Sequence, residues 1–374
     1  MPTRIVRNVV LGAGAMGSAA AYHLTRRGEP VLIVEQFDLG HDRGSSHGAA
    51  RIIRHSYSDP DYARLMLDAF RAWRELEADS GWPLYVKTGG VSISPRSVDY
   101  VARVDAALES IDVPHRRMTG REWNRRAPAF GVGPTDDVVF EPDAGLLSAA
   151  RALAVQLELA GQRGAEILLR APVRRVDLDG ERPTLVLDDF SIVADRLIVT
   201  VGPWTGRLLP TLGVPLTPTR QQVLYFRPAD APAYAIGRFP VFIYKGEADL
   251  DAFYGMPEAL GMGVKVARHG GPEVAPSAED RAIDAAYVEE IRGFLGRTIP
   301  GVASAPIDRT EVCLYTMAEG EDFRVGPLPG RPDVIVASPC SGHGFKFSCL
   351  IGRVLADLAV DGTTAIDVSP WRIG

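Results

Sequence analysis

Near its start the chain carries Gly12-Ala13-Gly14-Ala15-Met16-Gly17, the G-x-G-x-x-G spacing that brings backbone N–H groups against a pyrophosphate. The glycines permit a tight turn, and the N-terminus of a following helix favours negative charge. The flanking residues suit that role. Arg7-Asn8-Val9-Val10-Leu11 reads as a buried strand leading in, and Ser18 to Arg27 as a helix leading out. A second apolar run, Pro30-Val31-Leu32-Ile33-Val34, ends in Glu35 and Gln36. An acid about 20 residues past the glycines can bind a ribose hydroxyl. The unit predicts a dinucleotide site. It leaves NAD and FAD open, and Glu35 argues against the 2′-phosphate of NADP.

Two further groups lie far from the glycines. Ser341-Gly342-His343-Gly344-Phe345-Lys346-Phe347-Ser348 follows an apolar strand and opens a helix. Such a turn lets backbone approach a flat ring or an oxyanion, with Lys346 facing the ligand; composition alone allows equally a tight turn with a solvated lysine. Upstream, Glu311-Val312-Cys313-Leu314-Tyr315-Thr316 reads as a strand. Taken alone, Cys313 is a buried thiol acting as a small hydrophobe.

The bulk composition excludes several classes. The 374 residues can bury a large core and more than one domain. A net charge of -6 argues against nucleic acid as a partner. The basic clusters His115-Arg116-Arg117 and Arg121 to Arg126 read as solvated surface. No apolar run approaches a membrane span, and no charged-then-apolar leader precedes the first strand, so a cytoplasmic location is expected. Cys313, Cys340 and Cys349 form no disulfide framework, the histidines show no metal-ligand spacing, and no metal site is expected. The absence of G-x-S-x-G gives no support to an acyl-transfer triad.

These groups need elements to position them. Gly40 to Ala50 is a polar loop without periodicity. Tyr62, Met66, Ala69, Trp73 and Leu76 repeat at helical spacing up to Gly81-Trp82-Pro83. Val86 to Pro95 reads as strand with a turn or bulge at Gly89-Gly90. Short helices follow over 98–110 and 119–126, then a helix over 148–160. Residues 165–187 read as strand, turn and strand. Leu197-Ile198-Val199-Thr200-Val201 is a buried strand that delivers Gly202 at its carboxyl end. Residues 221–270 alternate as β structure, 279–295 as helix, and Val334 to Ser338 as a buried strand leading to a helix over 347–361. The first and last units look like parts of one domain.

On these motifs, joined by Gly44-Ser45-Ser46-His47-Gly48-Ala49-Ala50-Arg51-Ile52-Ile53-Arg54-His55, Phe253-Tyr254-Gly255 and Val264-Lys265-Val266-Ala267-Arg268-His269, the chain resembles the monomeric sarcosine oxidase and N-methyltryptophan oxidase family of the D-amino-acid-oxidase-like flavoenzymes. The resemblance covers nearly the whole chain. It implies an α/β fold (α+β overall): a Rossmann-like FAD-binding domain, discontinuous over 1–85, 145–220 and 305–374, with a mainly antiparallel substrate domain over 86–144 and 221–304. It also implies a monomer.

The same resemblance implies FAD joined through a thioether at Cys313. Substrate would be a secondary amino acid, oxidised at its C–N bond to an imine that water hydrolyses, with dioxygen reduced to hydrogen peroxide. Arg54 and Lys346 match the pair that binds the substrate carboxylate, and Lys265 the cation that serves oxygen reduction. Arg51 would lie against the flavin. Tyr254, His269 and Tyr315 would shape the substrate pocket. Gly12, Gly14, Ala15, Met16, Gly17, Glu35 and Gln36 would hold the AMP half with Val173 at the adenine. His41 and Ser45 would cover the pyrophosphate and ribityl chain, and Ile52, Gly342, Gly344 and Phe345 complete the flavin site.

The sequence departs from the family pattern at Ser46, Ala49 and Ala50, where relatives often carry an imidazole, a carboxylate and a hydroxyl. The acidic segment Tyr244 to Asp251 falls where the substrate pocket closes. Both bear on which amine is oxidised. A tailoring oxidase for a cyclic imino acid or a natural-product amine is the nearest alternative. An NAD-dependent dehydrogenase would leave Cys313 and 341–348 without a role, and a non-catalytic flavoprotein would not need Lys265 and Lys346.

Overall fold

The computed structural model describes residues 2–210, 213–248, 251–259, 261–277 and 280–373. Among them the strands form three sheets. In the first, Thr3–Leu11 lies between Val31–Val34 and Ser191–Val199, parallel to both. Glu166–Leu168 extends one side, and Arg331–Ala337 pairs in parallel with Ser191–Val199 on the other. Val9, Val10, Ile33, Ile198 and Val336 are fully enclosed. Strands covered on both faces must be apolar throughout, which is why these segments read as unbroken runs rather than alternating ones.

Helices Ala15–Arg26, Ala149–Gln162 and Ser348–Asp361 pack together over this sheet. The first and last cross closely at Gly352, where a Cβ would sit 2.4 Å from Ala19. Leu24 and Leu355 are fully buried; truncating such a leucine to alanine costs about 2–5 kcal/mol. The helix Pro60–Ser80 has a start and a stop written locally. The Asp59 carboxylate accepts from the Asp61 and Tyr62 amides, Pro60 opens the first turn, and Gly81 closes it at φ 71°. No helix among the described residues is long and apolar enough to cross a membrane.

The second sheet runs in the order Ile307–Met317, Thr217–Phe226, Val264–Arg268, Ala252–Met256, Val241–Lys245, Gly90–Ser94, Asp137–Glu141 and Arg116–Thr119. Its neighbours are antiparallel except Val241–Lys245 with Gly90–Ser94. The small third sheet joins Ala50–Ile53 and Tyr85–Lys87 to Gly145–Ser148.

Several expectations change. Ile307–Met317, expected in the nucleotide-binding segment from 305, pairs along its length with Thr217–Phe226 in the second sheet. The start of that partner, placed by sequence in the 145–220 segment, goes with it. Pairing across about ninety residues leaves no local mark in either strand. Val86 to Pro95 is two strands in different sheets, parted at Gly89 with φ 71°. The helix expected over 279–295 is Ala285–Thr298; Glu279 lies outside the described residues, as do Asp249 and Leu250 of the segment 244–251.

Candidate active site

A single cavity of about 960 Å³ runs from the glycine turn to the second sheet. That is the upper end of the range for small-molecule sites. Gly12, Gly14, Ala15 and Met16 line one end with Glu35, Gln36, His41 and Val173. Gly12 has φ 100°, and a Cβ there would lie 2.7 Å from Thr200 O. Gly17 does not line the cavity; a Cβ there would lie 1.8 Å from Gly12 O, so this glycine lets the helix close on the strand. Glu35 braces the turn, Oε2 accepting from Ala13 N at 2.8 Å and Oε1 from Phe37 N at 3.0 Å. His41 lies 3.7 Å from Glu35 and packs on Phe37; burial lowers its pKa.

The loop before Ala50–Ile53 is laid across the strand that holds Cys313. Ser45 Oγ donates to Leu314 O, and Leu314 N donates to Gly44 O at 3.4 Å. Arg51 ties this loop to itself, donating to Ser45 O at 3.0 Å, His47 O at 2.6 Å and Ala50 O at 3.0 Å. Its guanidinium faces the cavity 5.6 Å from the Phe345 ring, so it is not a surface arginine. Ile52 lines the same wall.

Strand alternation puts Glu311, Cys313 and Tyr315 on the cavity side. Burial pushes the Cys313 thiol up, against the pull of Arg51 and Lys265. Lys265, from the next strand but one, is buried; burial, with Arg51 beside it, lowers its pKa to about 7. No acid among the described residues pairs with it. Glu311 is engaged elsewhere, with the Tyr225 hydroxyl at 2.9 Å and Arg309 at 2.8 Å.

Arg54 and Lys346, far apart in sequence, converge on Tyr57. The Arg54 guanidinium lies 4.5 Å from the Tyr57 ring centre, and Lys346 Nζ donates to the Tyr57 hydroxyl at 2.9 Å. Arg54 Nη1 is buried with no hydrogen-bond partner. Burial, with Arg54 as the facing charge, holds the Lys346 pKa well below the ordinary lysine value. Across the cavity the Tyr254 and Tyr315 hydroxyls stand 3.4 Å apart, and His269 Nε2 lies 3.1 Å from the Glu321 carboxylate. Gly342 separates these walls at φ 86°; a Cβ there would meet His269 at 2.4 Å and Tyr315 at 2.5 Å. Gly344 packs under the turn, and Phe345 lines it.

His55 and His343 lie inside the quoted motifs but were given no role, and Tyr57, Glu321 and Glu141 were not singled out from sequence. The turn at 320–322 and the strand at 137–141 bring Glu321 and Glu141 to those histidines, and no local spacing marks them. Outside the cavity, Asp105, Glu109 and His115 come close enough to share a cation, yet His115 already bonds Val113 O and Asp105 through its two ring nitrogens.

The family described as FAD dependent oxidoreductase matches residues 7–358. The chain belongs to this family. As an FAD dependent oxidoreductase it is an enzyme whose cofactor is FAD, and the cavity residues fit that group. The glycine cradles admit backbone contact where a Cβ would block it, and the cavity reaches continuously to Cys313. The oxidoreductase is similar to a monomeric sarcosine oxidase of Streptomyces avermitilis, 35% identical over 370 residues, covering 96% of this chain and 94% of the relative. It is similar also to an N-methyl-L-tryptophan oxidase of Yersinia pestis, 32% identical over 369 residues and 98% of each chain. Among solved structures it matches the fold of NikD, an amino acid oxidase essential for nikkomycin biosynthesis, with TM-score 0.87, 24% identity and coverage of 99% and 98% of the two chains.

Proposed function

We propose that this protein oxidises the C–N bond of a secondary amino acid, sarcosine or another N-methyl amino acid, with dioxygen as acceptor. The observation that carries this reading is the convergence of buried Lys346 and half-buried Arg54, two cations that face the cavity with no acid paired to either among the described residues. A cation pair of this kind selects an anionic group, and the guanidinium fork orients a carboxylate through two parallel hydrogen bonds.

FAD, when bound, supplies the two-electron acceptor. Gly12, Gly14, Ala15 and Met16 would hold its pyrophosphate, Glu35 and Gln36 its ribose, and Val173 its adenine, with His41 and Ser45 closing over them. Arg51, Ile52, Gly342, Gly344 and Phe345 would flank the ring system, and Cys313 would carry a thioether to it.

The remaining residues act on substrate and oxygen. Arg54 and Lys346 fix the carboxylate, and their charge lowers the pKa of an amine bound beside them, so that it gives up its proton without a dedicated base. Tyr254, Tyr315 and His269 wall in the amine and exclude water. The charge on Lys265 stabilises negative charge developing on oxygen. The imine leaves to be hydrolysed, and peroxide is the second product. A monomer in the cytoplasm completes the reading.

Acid precipitation of the purified protein tests the linkage, and peroxide release tests the substrate. A yellow pellet and peroxide with sarcosine, N-methyltryptophan, pipecolate or proline are expected. A colourless pellet would remove the covalent bond, and bleaching by NADH with no response to any secondary amino acid would remove the oxidase.

A further inference from the structure

Buried cations ordinarily sit beside an acid, because an unpaired charge away from water is unfavourable. Lys346 is buried, and half-buried Arg54 has its Nη1 enclosed without a hydrogen-bond partner; neither is paired with an acid among the described residues, yet both are held in place. The group between them is Tyr57. Arg54 lies 4.5 Å and Lys346 Nζ 5.3 Å from its ring centre. Lys346 Nζ also donates to the Tyr57 hydroxyl at 2.9 Å and to His343 O at 2.8 Å.

The direction of each hydrogen bond here is set by the next. His343 Nε2 lies 2.9 Å from Glu321 O, a carbonyl that can only accept, so the proton of neutral His343 is on Nε2. Burial lowers the His343 pKa to about 3, which keeps the ring neutral. Its Nδ1 must then accept, and the hydroxyl of Tyr57, 3.1 Å away, donates to it. The phenol oxygen is left with its lone pairs turned to Lys346. The backbone is fixed as well, since Tyr57 N donates to His55 O at 2.7 Å, and Tyr57 packs against Tyr62 and Phe347.

We propose that Tyr57 is the positioning residue of the carboxylate-binding pair, its ring and hydroxyl holding Arg54 and Lys346 side by side without cancelling their charge. An aspartate or glutamate in that place would hold the cations equally well, and would compete with the substrate for them. A neutral aromatic face and a hydroxyl oriented by His343 keep both charges available. The chain of bonds ends at Glu321, whose carboxylate holds His269, so the cation pair and the opposite wall share one frame.

This inference rests on the proposed function, because it assumes that Arg54 and Lys346 bind a carboxylate. The holoenzyme is titrated with propionate, a carboxylate without an amine, and the visible absorption of its bound flavin is followed; steady-state kinetics with sarcosine run alongside. Tyr57→Phe keeps the ring and the packing and removes the hydroxyl. It should weaken propionate about 10-fold and raise KM by a similar factor, with kcat changed less. Tyr57→Leu removes the ring too, and should weaken propionate about 100-fold. If Tyr57→Leu does not fold, Tyr57→Phe decides alone, its thermal midpoint showing that the core is intact. Arg54→Met is the control. Unchanged propionate affinity in the Tyr57 variants with affinity lost in Arg54→Met would overturn the Tyr57 assignment and leave the carboxylate reading standing. Unchanged affinity in all of them would overturn both.

Discussion

Glu141 and His55 form a buried pair, carboxylate to Nδ1 at 2.7 Å, that fastens the second sheet to the segment carrying Arg54. The same carboxylate accepts from His55 N at 2.9 Å and Ser56 N at 3.0 Å. The His55 ring stacks on Phe70 of the helix Pro60–Ser80, with centroids 4.0 Å apart. One acid therefore sets the backbone immediately after Arg54, the arginine proposed to bind the substrate carboxylate.

Removing that acid is expected to destabilise the whole protein. Glu141→Ala leaves buried donors unpaired and should cost about 3–5 kcal/mol, and Glu141→Gln less. Burial opposes the charge on Glu141, but hydrogen bonds from His55 and Ser56 outweigh it and hold the carboxyl below the ordinary glutamate range. A carboxyl depressed in the folded state adds stability above its unfolded value of about 4.3, and loses it as pH falls through the folded value. Denaturant unfolding from pH 7 down to pH 3 should show that loss in the parent, and a flatter acid limb in Glu141→Gln. Equal slopes would show that the pair does not govern acid stability.

Cys313→Ala tests the linkage with little change in volume. The purified variant should release all of its flavin on acid precipitation, leaving a white pellet under a yellow supernatant. The parent pellet should stay yellow. A yellow variant pellet would place the attachment at another residue.

Lys265 gives two pH effects of opposite sense. Its pKa of about 7 is well below the ordinary 10.5 because burial disfavours the charge, with Arg51 adding to the effect. Between those values the unfolded chain holds a proton that the folded one lacks, so stability contributed by this site rises with pH. Lys265→Met should therefore unfold later than the parent near pH 7, by a few kcal/mol at about 1.4 kcal/mol per unit, and the gap should narrow toward pH 10. Oxygen use should run the other way. It should fall as pH rises through about 7 and the charge is lost, and drop about 10²- to 10³-fold in Lys265→Met. Oxygen-electrode rates at varied dioxygen, together with denaturant melts, measure both. A variant with unchanged oxygen dependence would remove Lys265 from that step.

Gly342→Ala should damage turnover more than folding. The residue has φ 86°, where a side chain is strained by about 1–2 kcal/mol, and its Cβ would press on His269 and Tyr315. A fall in kcat/KM of more than about 10-fold is expected, with a thermal midpoint lowered by only a few degrees. Intact turnover in this variant would mean that the spacing of those two walls is not critical.

The parts of the fold that were legible in sequence are those whose physics is local. Parallel strands such as Val31–Val34 showed as unbroken apolar runs, and the helix Pro60–Ser80 as a period with a cap and a glycine stop. Residues 311–316 were recognised as strand and grouped with the nucleotide-binding segment from 305; the pairing of Ile307–Met317 with Thr217–Phe226 in the second sheet spans about ninety residues and leaves no local mark. At the site, Cys313, Lys346 and Arg54 drew notice through the family resemblance rather than their own spacing, and all three line the cavity. Gly17 has the right spacing, yet its use is packing. Tyr57 was missed because its bond to Lys346, which comes from the far end of the chain, leaves no local mark.

The order of strands in the first sheet has a consequence for synthesis on the ribosome. Thr3–Leu11 is made first, but its neighbour Ser191–Val199 comes nearly two hundred residues later, and Arg331–Ala337 with the helix Ser348–Asp361 comes last. Chain emerging in that order cannot complete the sheet until that strand and helix have been made. Nascent chains stalled before about residue 350 should therefore be unable to retain flavin, whatever the state of their glycine turn.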